Sequence, residues 1–206
     1  MRTYLQNAFE LFALALQPPK REWMQAITTG ELTRQMVEAW TELELPEESA
    51  KAFADQMAEY EGRDADELLH ELAVDATRLH YGDGQLVRNT EGLWRLNDEG
   101  REGVFIINRY AREVSDFMHA AGVVRAGSYN DSMDSIENEC YFMSILASSP
   151  QYLIDAGKDP QQIFDQFMDE HMKLWVPGFC DQVCEHTKLV YYKAVCTLLK
   201  EFVEAF

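Results

Sequence analysis

Residues 164–180 read Phe-Asp-Gln-Phe-Met-Asp-Glu-His-Met-Lys-Leu-Trp-Val-Pro-Gly-Phe-Cys. Phe164, Met168, His171 and Trp175 stand at i, i+4, i+7 and i+11, one stripe along an α-helix. Pro177 has no N–H and crowds the preceding turn, so the spacing predicts that the helix stops or kinks there. A second apolar helix is expected over about 178–205. It carries Phe179, Val183, Val190, Ala194, Leu198 and Phe202, joined by Cys180, Cys184 and Tyr191. An arc that wide is buried on more than one side.

The same period runs through most of the chain. Asp159-Pro160 opens the helix of the quoted stretch, with Asp as cap and Pro in the first turn. Before it, Ile136, Cys140, Met143 and Ala147 form a stripe that Asp134 or Ser135 can cap. Further stripes are Tyr4/Ala8/Leu11/Ala15, Leu32/Met36/Trp40/Leu43, Ala50/Phe53/Met57/Tyr60, Leu68/Leu72/Leu79 and Ile106/Tyr110/Val114/Phe117. Asp64 with Glu67 three residues on is a capping-box pattern. Two segments break the period. One is 82–103, read as a long loop because it holds five glycines and no clean stripe; loops of that length inside compact domains are often functional. The other is 122–133. The chain is therefore expected to be an all-α helical bundle of about ten helices. An N-terminal helical subdomain (1–121) is joined by a hinge (122–133) to a smaller C-terminal helical subdomain (134–206).

A net charge of −18 on 206 residues argues against nucleic acid, whose phosphates need a basic surface. It argues equally against anionic membranes. It suits a basic partner, and it also suits solubility alone. No run reaches the roughly 18 apolar residues of a membrane span, and the N-terminal residues lack the pattern of a secretory leader. Cys140, Cys180, Cys184 and Cys196 lie in helical patterns and read as reduced thiols of a cytoplasmic protein.

Catalytic signatures are sparse. Cys180 and Cys184 at i, i+4, with His186 nearby, have a spacing open to two ligands of a metal, but a zinc site needs four convergent ligands. Core thiols are the simpler reading, and no metal or cofactor is expected. His171, among Phe, Met and Trp, reads as a hydrogen-bonded core residue, because acid–base work needs a second titrating partner in a cleft. The rival reading is a metal-dependent helical enzyme using His171, His186 and nearby carboxylates.

The quoted stretch resembles the Phe-Leu-x-x-His-hydrophobic-x-x-Trp-x-Pro-x-Phe signature of the TorD/DmsD family of molybdoenzyme chaperones. Asp75-Ala76-Thr77-Arg78-Leu79-His80-Tyr81-Gly82 is similar to that family's Asp-Tyr-Thr-Arg-Leu-Phe-hydrophobic-Gly segment. Glu91-Gly92-Leu93-Trp94 resembles its Tyr-Glu-Ser-Val-Tyr. Asp131-Ser132-Met133-Asp134-Ser135-Ile136 resembles its Glu-Pro-x-Asp-His-hydrophobic hinge motif, and Glu139-Cys140-Tyr141-Phe142-Met143 its Glu-x-x-Phe-Met. Ser135 stands where the family has histidine, Ser132 where it has proline, and Arg88-Asn89-Thr90 where Pro-Pro is usual. The resemblance implies a cytoplasmic chaperone rather than an enzyme. Its partners would be a molybdopterin-containing oxidoreductase subunit and that subunit's twin-arginine leader peptide, held until cofactor insertion precedes export. An assembly factor for a non-exported metalloenzyme is the alternative. No nucleic acid or stable membrane insertion is expected, and the chain would act as monomer or dimer. A leader has a basic start and an apolar middle. The expected peptide-binding residues are therefore Glu91, Asp131 and Asp134 for guanidinium groups, Leu79, Tyr81 and Trp94 for the apolar middle, and Ser135 at the hinge position.

Overall fold

The structure is a computed structural model in which residues 2–81, 84–100, 108–124 and 132–206 are described. Among these residues every regular element is helical, and β pairing is confined to one bridge between Thr90 and Ser135. The helices are α1 (Arg2–Leu16), α2 (Arg21–Thr28), α3 (Glu31–Glu42), α4 (Glu47–Met57), α5 (Ala65–Ala76), α6 (Glu91–Asp98), α7 (Arg109–Ala120), α8 (Ile136–Ala147), α9 (Gln151–Asp155), α10 (Pro160–Phe167), α11 (Lys173–His186) and α12 (Val190–Ala205). Thr77–Tyr81 and Met168–Met172 are π-helical turns; the first extends α5 and the second joins α10 to α11.

The all-α expectation holds, and its physical cause is visible in the caps. The Asp64 carboxylate accepts from the N–H groups of Asp66 and Glu67 at 2.9 and 3.0 Å. Asp159 accepts from Gln161 N–H at 2.9 Å, with Pro160 in the first turn. Asn108 accepts from Tyr110 and Ala111. Each satisfies N–H groups that a helix start leaves without partners.

The apolar stripes meet in one continuous core. α1 lies along α8, α4 against α12, and α11 against α12. Phe202 is the meeting point: its ring lies 5.1 Å from Phe9, 5.3 Å from Phe12 and 5.7 Å from Trp40. Residues on both sides of 122–133 thus share the same core.

Three expectations are corrected. Of the two outcomes expected at Pro177, the stop does not occur: α11 carries it in its interior and runs on to His186. The break falls instead at 187–189, so the last helix begins at Val190 rather than near 178. The missing N–H of Pro177 removes one bond to the carbonyl of Lys173, while burial of Trp175, Val176, Phe179 and Cys180 holds the helix together through it. The stretch 82–103 is not all loop, because it contains α6, whose short amphipathic face is masked by one glycine within it and four around it. Third, neither Asp134 nor Ser135 caps α8 through its side chain. Asp134 turns to another helix, as described below.

The break before α12 is fixed by the segment that resembles the family's Asp-x-Thr-Arg motif. Asp75 is buried and accepts from Thr187 Oγ1 and from the N–H of Lys188 at 3.2 Å. Arg78 forks onto Asp75 at 2.6 and 3.1 Å and donates to the His186 carbonyl at 2.6 Å. The end of α5 thereby holds the α11–α12 turn.

Candidate functional site

α6, α7 and α8 bring their N-terminal ends to one junction at Gly92. The bridge Thr90–Ser135 aligns two of them: Glu91 N–H donates to the Asp134 carbonyl at 2.8 Å, and Ile136 N–H to the Asn89 carbonyl at 3.0 Å. The Asp134 carboxylate accepts from Gly92 N–H at 2.8 Å, so it caps α6 rather than its own helix. A Cβ on residue 92 would lie 2.7 Å from the Asn108 amide and 2.8 Å from Asp134 Oδ2. Only glycine lets the three helix starts approach this closely.

This geometry explains an otherwise costly feature. Glu91, Asp134, Glu137 and Glu139 are all buried, at 0–2% exposure. Helix N-termini carry positive partial charge and unpaired N–H groups, which offset part of the cost of burying carboxylates. Side chains offset more. Glu91 Oε1 accepts from Arg95 at 2.7 Å and Glu91 Oε2 from His171 Nδ1 at 2.9 Å. Because a carboxylate only accepts, Nδ1 carries the proton. Glu139 Oε2 accepts from the Trp175 indole N–H at 2.9 Å. His171 is packed between Phe167, stacked at 4.6 Å, and Phe117, edge-on at 5.6 Å. The expectation of a hydrogen-bonded core histidine is met, and its partner is Glu91.

Burial, with charge crowding behind it, raises two carboxyls of the junction. Burial, followed by the negative charge of Glu91, pushes the Glu139 carboxyl well up. Burial also raises Asp134, against the hydrogen bonds from Ser132 and Gly92. A raised folded-state value means that Glu139's contribution to stability is present below its ordinary 4.5 and is lost as pH rises through the raised value. Glu139→Gln keeps an oxygen for Trp175 and removes the charge. Its melting temperature should exceed that of the wild type at pH 8, and the gap should close toward pH 4.5. Each kcal/mol gained reads as about 2–4 °C. A variant no more stable than wild type at pH 8 would contradict this charge assignment.

The expected peptide-binding residues divide into groups. Glu91, Asp134 and Ser135 meet at the junction and are buried. Among the described residues, Ser135 Oγ has no hydrogen-bond partner there. Trp94 is half-buried and lies across Gly178 of α11, where a Cβ would sit 2.5 Å from Trp94 Cζ2. Tyr81 is 46% exposed, beside His80. Leu79 is fully buried and presents no surface; its carbonyl accepts from Leu86 and Val87 at 3.0 and 2.9 Å. Asp131 lies outside the described residues. Leu174, 50% exposed one turn before Gly178, is apolar surface that sequence reading missed. Also missed were the Glu139–Trp175 bond and the pair Arg95–Tyr110, whose guanidinium lies 3.9 Å from the ring centroid. The i, i+4 spacing of Glu91 and Arg95 was the available signal.

The residues of the rival reading do not gather. His171 is engaged with Glu91, whereas the His186 carbonyl is bound by Arg78 at the far end of α11. Cys180 is buried, and Cys184 Sγ lies 3.8 Å from Lys193 O and from Thr197 Oγ1. Among the described residues no three His, Cys, Asp or Glu side chains are arranged to hold a metal ion, and no helix is long and apolar enough to cross a membrane.

Residues 43–181 match the model of the nitrate reductase delta subunit family. A comparison with curated proteins found no match. The matched span covers 139 of the 206 residues and includes Glu91, Gly92, Asp134, Glu139, His171 and Trp175, so the whole junction falls inside it. The chain belongs to the nitrate reductase delta subunit family and is, as the resemblance to TorD/DmsD proteins implies, a TorD-type chaperone of molybdoenzyme maturation.

Proposed function

We propose that this chaperone acts in the cytoplasm, binding the leader peptide and apo form of a molybdopterin oxidoreductase of the nitrate reductase type and releasing it once the cofactor is inserted. The observation that carries this reading is the convergence at Gly92. Motif residues spread from Glu91 to Trp175 form one acid-rich junction, and the half-exposed apolar side chains of Tyr81 and Leu174 are next in the chain to buried His80 and Trp175. Carboxylates suit a basic leader start, and exposed aromatic and aliphatic side chains suit its apolar middle. The segment 122–133 serves in this proposal as the hinge, and Asp131 as a further carboxylate for the leader.

Calorimetric titration of a synthetic twin-arginine leader tests the reading. Tyr81→Ala and Leu174→Asp change exposed side chains, so the fold should survive. Each should weaken binding about tenfold, the scale of an interface side chain that contributes more than 1 kcal/mol. Unchanged affinity in both would remove the leader from this face. The second reading, a non-exported client, draws on Ser135, which supplies no titrating imidazole at the hinge position. It predicts equal affinity for a leader whose arginines are replaced by alanine.

A further inference from the structure

Beside the junction, one tyrosine holds two arginines of the chain itself. Arg95 lies 3.9 Å and Arg109 4.4 Å from the Tyr110 ring centroid. Each guanidinium is also paired with a carboxylate, Arg95 with Glu91 at 2.7 Å and Arg109 with Glu99 at 2.5 Å. The Tyr110 hydroxyl donates to Glu99, and the ring is 6% exposed. Two acids and a fixed aromatic face thus form a cradle of the kind that recognises planar guanidinium groups by stacking and forked hydrogen bonds. Arg95 links the cradle to solvent, because it also lines an open groove with Glu113, Asp116, Phe117, Glu170 and His171.

We propose that this cradle is the receptor for the paired arginines of the client leader, occupied in the free protein by Arg95 and Arg109 and entered by exchange. The inference rests on the leader-binding reading above. Exchange keeps Glu91 paired throughout, which matters because an unpaired carboxylate at 0% exposure is strongly destabilising. Arg95 already reaches Glu91 from the groove with 24% of its side chain exposed, so an incoming arginine has the same path. Three groove carboxylates, Glu113, Asp116 and Glu170, draw a cationic segment toward it. Lysine would satisfy the charges but not the stacked, forked geometry. The chain's own arginines act as an internal competitor that lowers the apparent affinity for any client.

Fluorescence titration of leader peptides carrying Arg-Arg, Lys-Lys or Ala-Ala, against wild type, Arg95→Ala and Arg109→Ala, tests the exchange. Both variants should bind the Arg-Arg peptide about tenfold more tightly than wild type does, the effect of removing a competing internal contact. The Lys-Lys and Ala-Ala peptides should gain little. Equal or weaker Arg-Arg binding in the variants would overturn the proposal. Arg109 is more than half exposed, so Arg109→Ala reads the cradle even where Arg95→Ala fails to fold. A second measurement needs no client. Millimolar arginine amide should raise the melting temperature of Arg109→Ala more than that of wild type, and lysine amide should not. Absence of this rescue overturns the cradle. Rescue without leader binding by wild type would instead refute the leader reading alone.

Discussion

Trp175→Ala is expected to lose about 3–5 kcal/mol of folding stability, the range of large aromatic deletions in a core. The side chain is 0% exposed, and its ring lies 5.3 Å from Phe179. Truncation removes that packing and leaves a cavity between elements held rigid by neighbouring contacts. It also removes the indole hydrogen bond to Glu139 Oε2 of a fully buried carboxyl. A buried carboxyl that loses a donor adds a desolvation penalty to the cavity term. Trp175→Phe separates the two contributions: it restores most of the apolar volume but still lacks the indole donor, and should cost about 1–3 kcal/mol. Urea unfolding of the three proteins measures both. Equal losses for Ala and Phe would mean that the hydrogen bond, not the packing, dominates. A Trp175→Ala variant with wild-type stability would remove the core role assigned to this residue.

Glu91→Ala should have a comparable effect for a different reason. The side chain joins Arg95 on its own helix to His171 on the π-helical turn before α11. Removing one partner of a buried ionic pair costs about 3–5 kcal/mol, mainly because the other partner is left without compensation. Here two donors lose their acceptor, and α6 loses its tie to the α10–α11 run. Glu91→Gln keeps an oxygen for one donor and should fall between wild type and alanine. Thermal melts should show drops of roughly 6–20 °C for alanine, at about 2–4 °C per kcal/mol. A change under about 1 kcal/mol would show that the pair is dispensable and that the Asp134 cap and Trp94 packing suffice to hold α6.

The helical fold was legible because its signals are local. Stripes such as Phe164/Met168/His171/Trp175 and caps such as Asp64 and Asp159 act within a few residues, and each lies where its spacing places it. Pro177 misled because the burial of Trp175 and Phe179, a tertiary effect, outweighs one lost backbone bond. α6 was hidden because its eight residues are stabilised from outside, by Asp134 at its start and by Trp94 against Gly178. The site was legible only through family resemblance. Spacing within one helix can pair Glu91 with Arg95, but nothing local says that Asp134 caps another helix or that His171 meets Glu91 across 80 positions. Leu79 illustrates the reverse error of emphasis. Its apolar character suited a peptide groove, whereas the π-helical turn directs it into the core.

The central claim is that this chain escorts an unfinished molybdoenzyme, and capture of its client tests that most directly. The tagged protein, purified from its native host and analysed by mass spectrometry, should bring down a molybdopterin-binding oxidoreductase subunit. The captured subunit should lack its cofactor and retain its N-terminal segment. Yield should fall for Tyr81→Ala and Leu174→Asp. Recovery of the cofactor-loaded, leader-free enzyme, or capture indifferent to both substitutions, would contradict the account.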